Sequence, residues 1–241
     1  MLFNLKKLVA FYDTRLGRFA KKQIRQALKP HLDQFSKSSY ILSLGYSIPF
    51  IKKTYKKFNR FSLFFPATQG CFTFSDETGN LSALVYESQL PLPDAIVDGL
   101  ICMHCFEHTQ DTHQLLREIW RVLNGSGKLL LIIPNRRGLW ARFDNNPFGF
   151  GTSYSKRQIK HLLEDHNFII ESITPTIYAP PSHSNWYHSF LYPIEKILSK
   201  FSTHFCGIYM IHAKKQIFQP ILKSKYNIKE SLIKTKDLPT V

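Results

Sequence analysis

The chain has 241 residues, 44% of them hydrophobic, enough to bury one large core, and one α/β domain is the expectation. Lys and Arg number 32 against 17 Asp and Glu, a net charge of +15. Either a polyanionic partner, nucleic acid or acidic lipid, is drawn in by long-range attraction, or the basic residues are a compositional bias spread along the chain. No apolar run reaches the roughly 18 to 20 residues of a membrane-spanning helix. The first residues lack the apolar stretch of a secretion signal, and Cys71, Cys102, Cys105 and Cys206 are too scattered for a disulfide framework, so free thiols in a reducing cytosol are expected.

Residues 1–29 carry Leu5, Leu8, Tyr12, Leu16, Phe19, Ile24 and Leu28 near helical spacing, with Arg15, Arg18, Lys21, Lys22 and Arg25 between them. This predicts a helix packed on a sheet with its charges in water; a basic amphipathic helix also suits an anionic membrane surface. Pro30 closes it. The N-terminal helical segment is set at 1–37, the main domain at 38–218 and a loose basic tail at 219–241. Tyr40–Leu44 reads as the first core strand, and Gly45 follows it at once. The carboxyl end of a first strand in a doubly wound sheet is where nucleotide-like ligands bind, and glycine permits close backbone approach. Residues 50–60 suit a helix, Phe61–Phe65 a second strand with the loop Pro66–Gly70, and Leu81–Val85 a third.

The stretch from Leu81 to Asn135 organises the chain. Val97–His104 and Lys128–Pro134 are short runs of Val, Ile and Leu suited to strands buried on both faces. Between them Leu115, Leu116, Ile119, Trp120 and Leu123 form one stripe of a helix over Asp111–Leu123, started by Asp111 with Gln114 as a capping box and ended by Asn124-Gly125. Strand–helix–strand makes the sheet parallel here. Asn135–Ser155, dense in Gly, Pro, Asn, aromatics and Arg, is a loop long enough to be functional. Ser155 caps a helix to Glu164, Phe168–Tyr178 is a strand, Trp186–Phe201 a helix broken at Pro193, and Gly207–Phe218 a last strand.

Three stretches make the chain resemble the class I S-adenosylmethionine-dependent methyltransferases of the type 11 group. Leu90-Pro91-Leu92-Pro93-Asp94-Ala95-Ile96-Val97-Asp98 is similar to the group's LPFPDxSFD. His104-Cys105-Phe106-Glu107-His108 is similar to HVLEH, and Leu115–Leu123 with Gly125-Ser126-Gly127 to LLREIxRVLxPGG. Pro134–Arg142 with Pro147-Phe148-Gly149 and Tyr154-Ser155 resembles an uncharacterised bacterial subfamily. The resemblance implies a doubly wound, seven-stranded, mostly parallel Rossmann-like sheet and a cytosolic enzyme that moves a methyl group from S-adenosylmethionine to an unidentified small molecule. It implies cofactor contacts at Gly45, Tyr46, Ser47, Pro66, Tyr86, Glu87, Ser88, Leu90, Met103 and His104. The chain departs from the family at three places: Ser43 stands for the first acid and only Gly45 remains of three glycines, Phe65-Pro66-Ala67 replaces the acid that holds the ribose, and Tyr86 takes the adenine-side acid position with Glu87 one place late.

Methyl transfer from a sulfonium is an in-line displacement with an excellent leaving group, so orientation carries most of the work and no triad or metal cluster is needed. Tyr46 either faces the sulfonium as a cation–π partner or packs under the N-terminal helix. His108 and Glu107 are the catalytic candidates, a neutral imidazole accepting a proton from a hydroxyl or amine; the alternative is that they only fix the approach to the helix. HxxEH also matches an inverted zinc-protease motif, but His104 closes a strand, so the two histidines share no helical face. Asn135, Arg136, Trp140, Arg142 and Tyr154 are the acceptor-side candidates, with arginines suited to carboxylate or phosphate. Two rivals stand: a non-catalytic relative acting as an interaction module, and an RNA methyltransferase, for which the charge speaks but no Asn-Pro-Pro-Tyr motif does.

Overall fold

A computed structural model describes residues 5–77, 79–144, 146–182, 190–201 and 205–217. Seven strands form one sheet: β1 (Tyr40–Gly45), β2 (Arg60–Pro66), β5 (Ser82–Val85), β6 (Val97–Met103), β7 (Leu123–Pro134), β8 (Phe168–Thr176) and β9 (Ile208–Lys215). Their order is β5-β2-β1-β6-β7-β9-β8. All neighbours run parallel except β9, which is antiparallel to both β7 and β8. This is the expected seven-stranded, mostly parallel, doubly wound sheet. A two-stranded hairpin, β3 (Ser75–Asp76) with β4 (Gly79–Asn80), sits before β5 and had no signal in the pattern of apolar residues.

Each face of the sheet is covered. On one side pack α1 (Leu5–Asp13) and α2 (Arg15–Leu32), whose Leu8, Tyr12, Phe19 and Ile24 join Ile101, Met103, Leu130 and Ile132 in one core cluster. On the other, Leu115, Leu116 and Ile119 of α4 (Thr112–Val122) and Ile159 and Leu163 of α5 (Lys156–Asp165) meet Leu42, Leu100, Leu129 and Leu131. Alternate residues of a strand point to opposite faces, so a strand covered on both sides is apolar along its length, as the middle of β7 is and as β1 is apart from Ser43.

Local chemistry sets the helix limits. The single N-terminal helix expected is two: Thr14 turns the chain, and its Oγ1 accepts the Gly17 N–H at 2.9 Å as the cap of α2. Pro30 lies inside α2, which runs on to Leu32; proline forfeits one hydrogen bond, tolerable in a last turn that Asp33 closes on the Lys29 carbonyl at 3.0 Å. The helix expected over 50–60 shrinks to α3 (Ile48–Ile51) and a 3₁₀ turn at Tyr55–Lys57, because Arg60 must already pair with Tyr40 in the sheet. Asp111 caps α4 by accepting the Gln114 N–H at 2.9 Å; the complete capping box is at Ser155 and Gln158 of α5. The α4 helix runs straight into β7, which starts at Leu123 rather than Lys128. Pro193 sits in the first turn of α6 (Leu191–Phe201) and breaks nothing. Residues 183–189, where that helix was expected to begin, and the tail from 219 lie outside the described residues. No helix among the described residues is long and apolar enough to cross a membrane.

The Leu90–Asp94 segment is held by one side chain. Arg121 donates to the carbonyls of Leu90 at 3.0 Å and Leu92 at 2.8 Å and to the carboxylates of Asp94 and Glu118, while Glu118 accepts the Leu90 N–H at 2.8 Å. A planar fork with five donors makes this set of bonds; an ammonium group does not. Arg121→Lys is expected to cost about 1 to 2 kcal/mol, discounted for the part of the clamp in water, and to lower the melting temperature by roughly 3 to 6 °C in a thermal melt.

Candidate active site

The strand order reverses between β1 and β6. From β1 the chain builds outward through β2 to β5, then returns to lay β6 on the other flank of β1. In an open parallel sheet ligands bind in the crevice beyond the carboxyl ends of the strands at such a reversal; here that place is packed, with Tyr46, His104 and Glu107 buried and Tyr12 of α1 bonded to His104. Gly45 ends β1 there with φ +86°, paired with Met103 of β6, and a Cβ at 45 would run into the Met103 carbonyl oxygen. Only glycine satisfies both the dihedral and the approach.

Ser43, at the family's acid position, is fully buried, and its hydroxyl is hydrogen-bonded to that of Ser47. The two hydroxyls satisfy each other, so neither points out as a carboxylate would. Tyr46 is 5% exposed and packs on Tyr12 and Phe72, with ring centroids 6.0 and 6.2 Å away. Burial, with Asp13 nearby, pushes its phenol up to about 12. Of the two readings of Tyr46, the structure has the ring under the N-terminal helix.

His104 leaves β6 in the left-handed region, φ +54°, which turns its ring back into the crevice. The imidazole is fully buried. Its Nδ1 lies 3.2 Å from Glu107 Oε1 and its Nε2 lies 2.6 Å from the Tyr12 hydroxyl. An ionised carboxylate only accepts, so Nδ1 carries a proton, and in the neutral ring Nε2 accepts from Tyr12. Phe148 stacks beside the ring at 5.1 Å, and the Gln69 amide donates to the His104 carbonyl. Gln69 also ties the loop after β2 to α1, its carbonyl accepting the Leu5 N–H. Burial raises the Glu107 carboxyl, but the hydrogen bond from His104, with electrostatic attraction to the His104 and His108 rings, outweighs it and holds the group below the usual carboxylate range. Both ring nitrogens of His104 are thus engaged, and residues 104–109 form turns rather than a helix, so the paired-histidine face of a zinc protease is not built. Among the described residues there is no cluster of three or more His, Cys, Asp or Glu that could hold a metal.

Beside this network, Gln69 Oε1, Glu107 Oε2 and His108 Nε2 are buried without a hydrogen-bond partner. Buried polar atoms are nearly always satisfied, and three unsatisfied ones grouped at a crevice fit a polar ligand such as the amino acid end of S-adenosylmethionine. His108 is covered by the loop after β7: Thr152 N–H donates to the Glu107 carbonyl at 2.7 Å, and Gly151, φ +79°, passes too close to it to carry a side chain. Burial lowers the His108 pKa, with the charge on His104 acting the same way and Glu107 opposing.

The remaining sequence-predicted residues fall into separate groups. At the end of β5, Tyr86 is 73% exposed, and Glu87 and Ser88 are half-buried, an open flank suited to a base. Pro66 and Leu90 are buried at the ends of β2 and the clamped segment. On the acceptor side, Asn135 is buried and its amide donates to the Cys206 carbonyl at 2.8 Å. Tyr154 bridges to Asn135 and lays its ring against Phe106 at 5.4 Å, while Arg136 and Arg142 reach into solvent. Trp140 is 1% exposed, its indole N–H donating to the Ala179 carbonyl at 2.8 Å, so it supports the loop from within the core rather than facing a ligand. Sequence reasoning did not single out Gln69, Phe148 or the role of Tyr12. Tyr12 was one apolar position of a helical stripe, and nothing local marks it as the partner of a residue 92 positions away.

Residues 77–131 match the family described as methyltransferase domain. A probable S-adenosylmethionine-dependent methyltransferase of Mycobacterium tuberculosis is 34% identical over 95 residues, 39% of this chain and 34% of the relative. A counterpart from Mycolicibacterium smegmatis is 35% identical over 86 residues, 35% of this chain and 33% of its own length. The chain thus spans about a third of the length of the curated relatives it matches. In structure, a S-adenosylmethionine-dependent methyltransferase of Thermotoga maritima superposes with a TM-score of 0.60 at 14% identity, covering 88% of this chain and 96% of the other. Geranyl diphosphate C-methyltransferase of Streptomyces coelicolor, solved with S-adenosyl-L-homocysteine, gives 0.55 at 15%, covering 80% and 75%. These likenesses establish the fold.

His108, lowered by burial, stays neutral in the folded chain where a free imidazole would be protonating. The contribution is complete above about pH 6.5, the unfolded value, and is lost as pH falls toward the folded one. Titration of the His108 ring by NMR is expected to show a midpoint below the usual histidine range. His108→Gln is expected to lose less stability than the parent between neutral pH and pH 5; a midpoint at or above 6.5 would contradict this.

Proposed function

We infer that the chain, similar to S-adenosylmethionine-dependent methyltransferases over part of its length, transfers a methyl group from S-adenosylmethionine to a small-molecule acceptor in the cytosol. The observation that carries the reading is the crevice at the strand-order reversal, edged by Gly45 and Met103 and holding unpartnered Gln69, Glu107 and His108 atoms. Gln69 and Glu107 suit the amino acid end of the cofactor, and Tyr86, Glu87 and Ser88 suit the adenine. No carboxylate stands at the ribose position, so the backbone of the loop after Pro66 and the apolar wall of Phe65 and Phe72 take more of the binding than is usual.

Bound there, S-adenosylmethionine supplies an activated methyl whose sulfur leaves as a neutral thioether without acid help. What remains for the chain is to orient, dry and deprotonate. The Arg121 clamp and the Asn135–Tyr154 bridge fix the two walls, and alignment of reacting groups can be worth roughly 7 to 11 kcal/mol. Phe148, Trp140 and the N-terminal helices exclude water from the His104 side. His108 Nε2, unpartnered and neutral at pH 7, is the atom suited to take the proton that an acceptor hydroxyl or amine loses as its bond to carbon forms. A second reading, binding without catalysis, draws on the Ser43–Ser47 pair, which removes the usual anchor.

At a hundred times its dissociation constant, S-adenosylmethionine or S-adenosylhomocysteine is expected to add about 2.7 kcal/mol of stability, a rise of roughly 5 to 10 °C in a thermal melt. Tyr86→Ala with Glu87→Gln, both at the solvent edge, is expected to reduce that rise while leaving the unliganded melt unchanged. No rise with either ligand would sink the enzyme reading. A rise with no methyl incorporation into any acceptor would favour the non-catalytic one.

A further inference from the structure

We propose that the groove between α5 and the ends of β8 and β9 binds a phosphate- or diphosphate-bearing amphiphile, and that this ligand is the acceptor; the second half rests on the methyl-transfer reading. The groove has a volume of 700 Å³. Arg137, Lys156, Arg157, Lys160 and His161 line it over an apolar floor of Ile173, Pro175 and Tyr209, and no acidic side chain is among its walls. Lys160 and His161 lean toward Glu164 at 3.6 and 4.0 Å. Arg137, Lys156 and Arg157 have no acidic partner among the described residues. Cations converging on one concavity repel one another, and in a partly enclosed space water screens them less than on an open surface. An entering phosphate turns that repulsion into charge-assisted hydrogen bonds, with an arginine fork matched to two phosphate oxygens.

The position connects this groove to the crevice. Arg137 stands three residues beyond the end of β7, its N–H donating to Asn135 Oδ1 at 3.0 Å, and the cap of α5, Ser155, directly follows Tyr154, the residue bridged to Asn135. The groove therefore opens off the same wall as the acceptor-side residues. The capping box of Ser155 and Gln158 already uses the first turn of α5, so side chains rather than helix amides would hold the anion. A concavity of this size is within the range of small-molecule pockets and takes a head group and a few carbons. The groove on the other flank of α5 is larger, 960 Å³, but Glu164 and Glu171 stand among its walls, so its charge is mixed.

Titration calorimetry of the full chain with inorganic pyrophosphate tests the site. Binding is expected to weaken steeply with salt and at least tenfold in Lys156→Gln/Arg157→Gln/Lys160→Gln. The thermal rise with S-adenosylhomocysteine should persist in that variant, so a failed anion site and a failed cofactor reading are read separately. Flotation with vesicles of phosphatidylcholine containing phosphatidic acid separates the sources. Flotation lost in the triple variant assigns the anion to a lipid head group; pyrophosphate binding without flotation assigns a soluble diphosphate. Equal pyrophosphate binding in parent and variant, or neither pyrophosphate nor vesicle binding by the parent, overturns the proposal. Binding of oligouridylate alone, lost in the variant, overturns it in favour of nucleic acid.

Discussion

At the carboxyl ends of β1 and β6 two backbones lie so close that no side chain fits between them. Gly45, in the left-handed region, faces the Met103 carbonyl, and the residue after Met103 is itself left-handed. Two left-handed residues stand at the ends of these neighbouring strands, Gly45 closing β1 and His104 following β6, and the crevice position lies beyond them. The Glu107–His108 turn, the Pro66–Gly70 loop and the start of the N-terminal helices all border that opening. A larger residue at 45 would push β6 from β1 and displace His104 with it, so the site and the sheet register rest on the same contact.

Within the crevice the chain accepts an unusual arrangement for the sake of placement. Tyr12, His104 and Glu107 are buried together, and a buried carboxylate is costly unless it is hydrogen-bonded and faced by positive charge. Here one Glu107 oxygen has His104, and the other has no partner. Low dielectric strengthens the bonds that are made and enlarges the penalty for the one that is not. A ligand that satisfies Glu107, His108 and Gln69 would then gain from relieving that penalty. The Tyr12 hydroxyl ties this network to α1.

The sheet was legible because strands covered on both faces must be apolar where they are covered, as Leu100–Met103 and Leu129–Ile133 are. The α4 and α5 helices were legible because caps and stripe agree: Asp111 with Gln114, and Ser155 with Gln158. The break at Thr14 was not, since the apolar positions Tyr12 and Leu16 keep helical periodicity across it and only its cap bond reveals the turn. The helix over 50–60 failed for a non-local reason, the need for Arg60 to meet Tyr40. At the site, Gly45 ends β1, and His104, Glu107 and His108 follow β6 at the same edge of the sheet. Which neighbours touch is a long-range matter, so the internal pairing of Ser43 with Ser47, the buried support by Trp140 and the Tyr12–His104 bond could be read only from the fold.

The most direct test of the central claim, that the cofactor lies in the crevice between β1 and β6, is photochemical. Methyl-tritiated S-adenosylmethionine would be irradiated on the full chain and the labelled peptides mapped. The account predicts label in segments containing residues 42–47, 85–90 or 103–108, suppressed by excess S-adenosylhomocysteine. Label confined to other parts of the sheet, or none above the heat-denatured control, would contradict it.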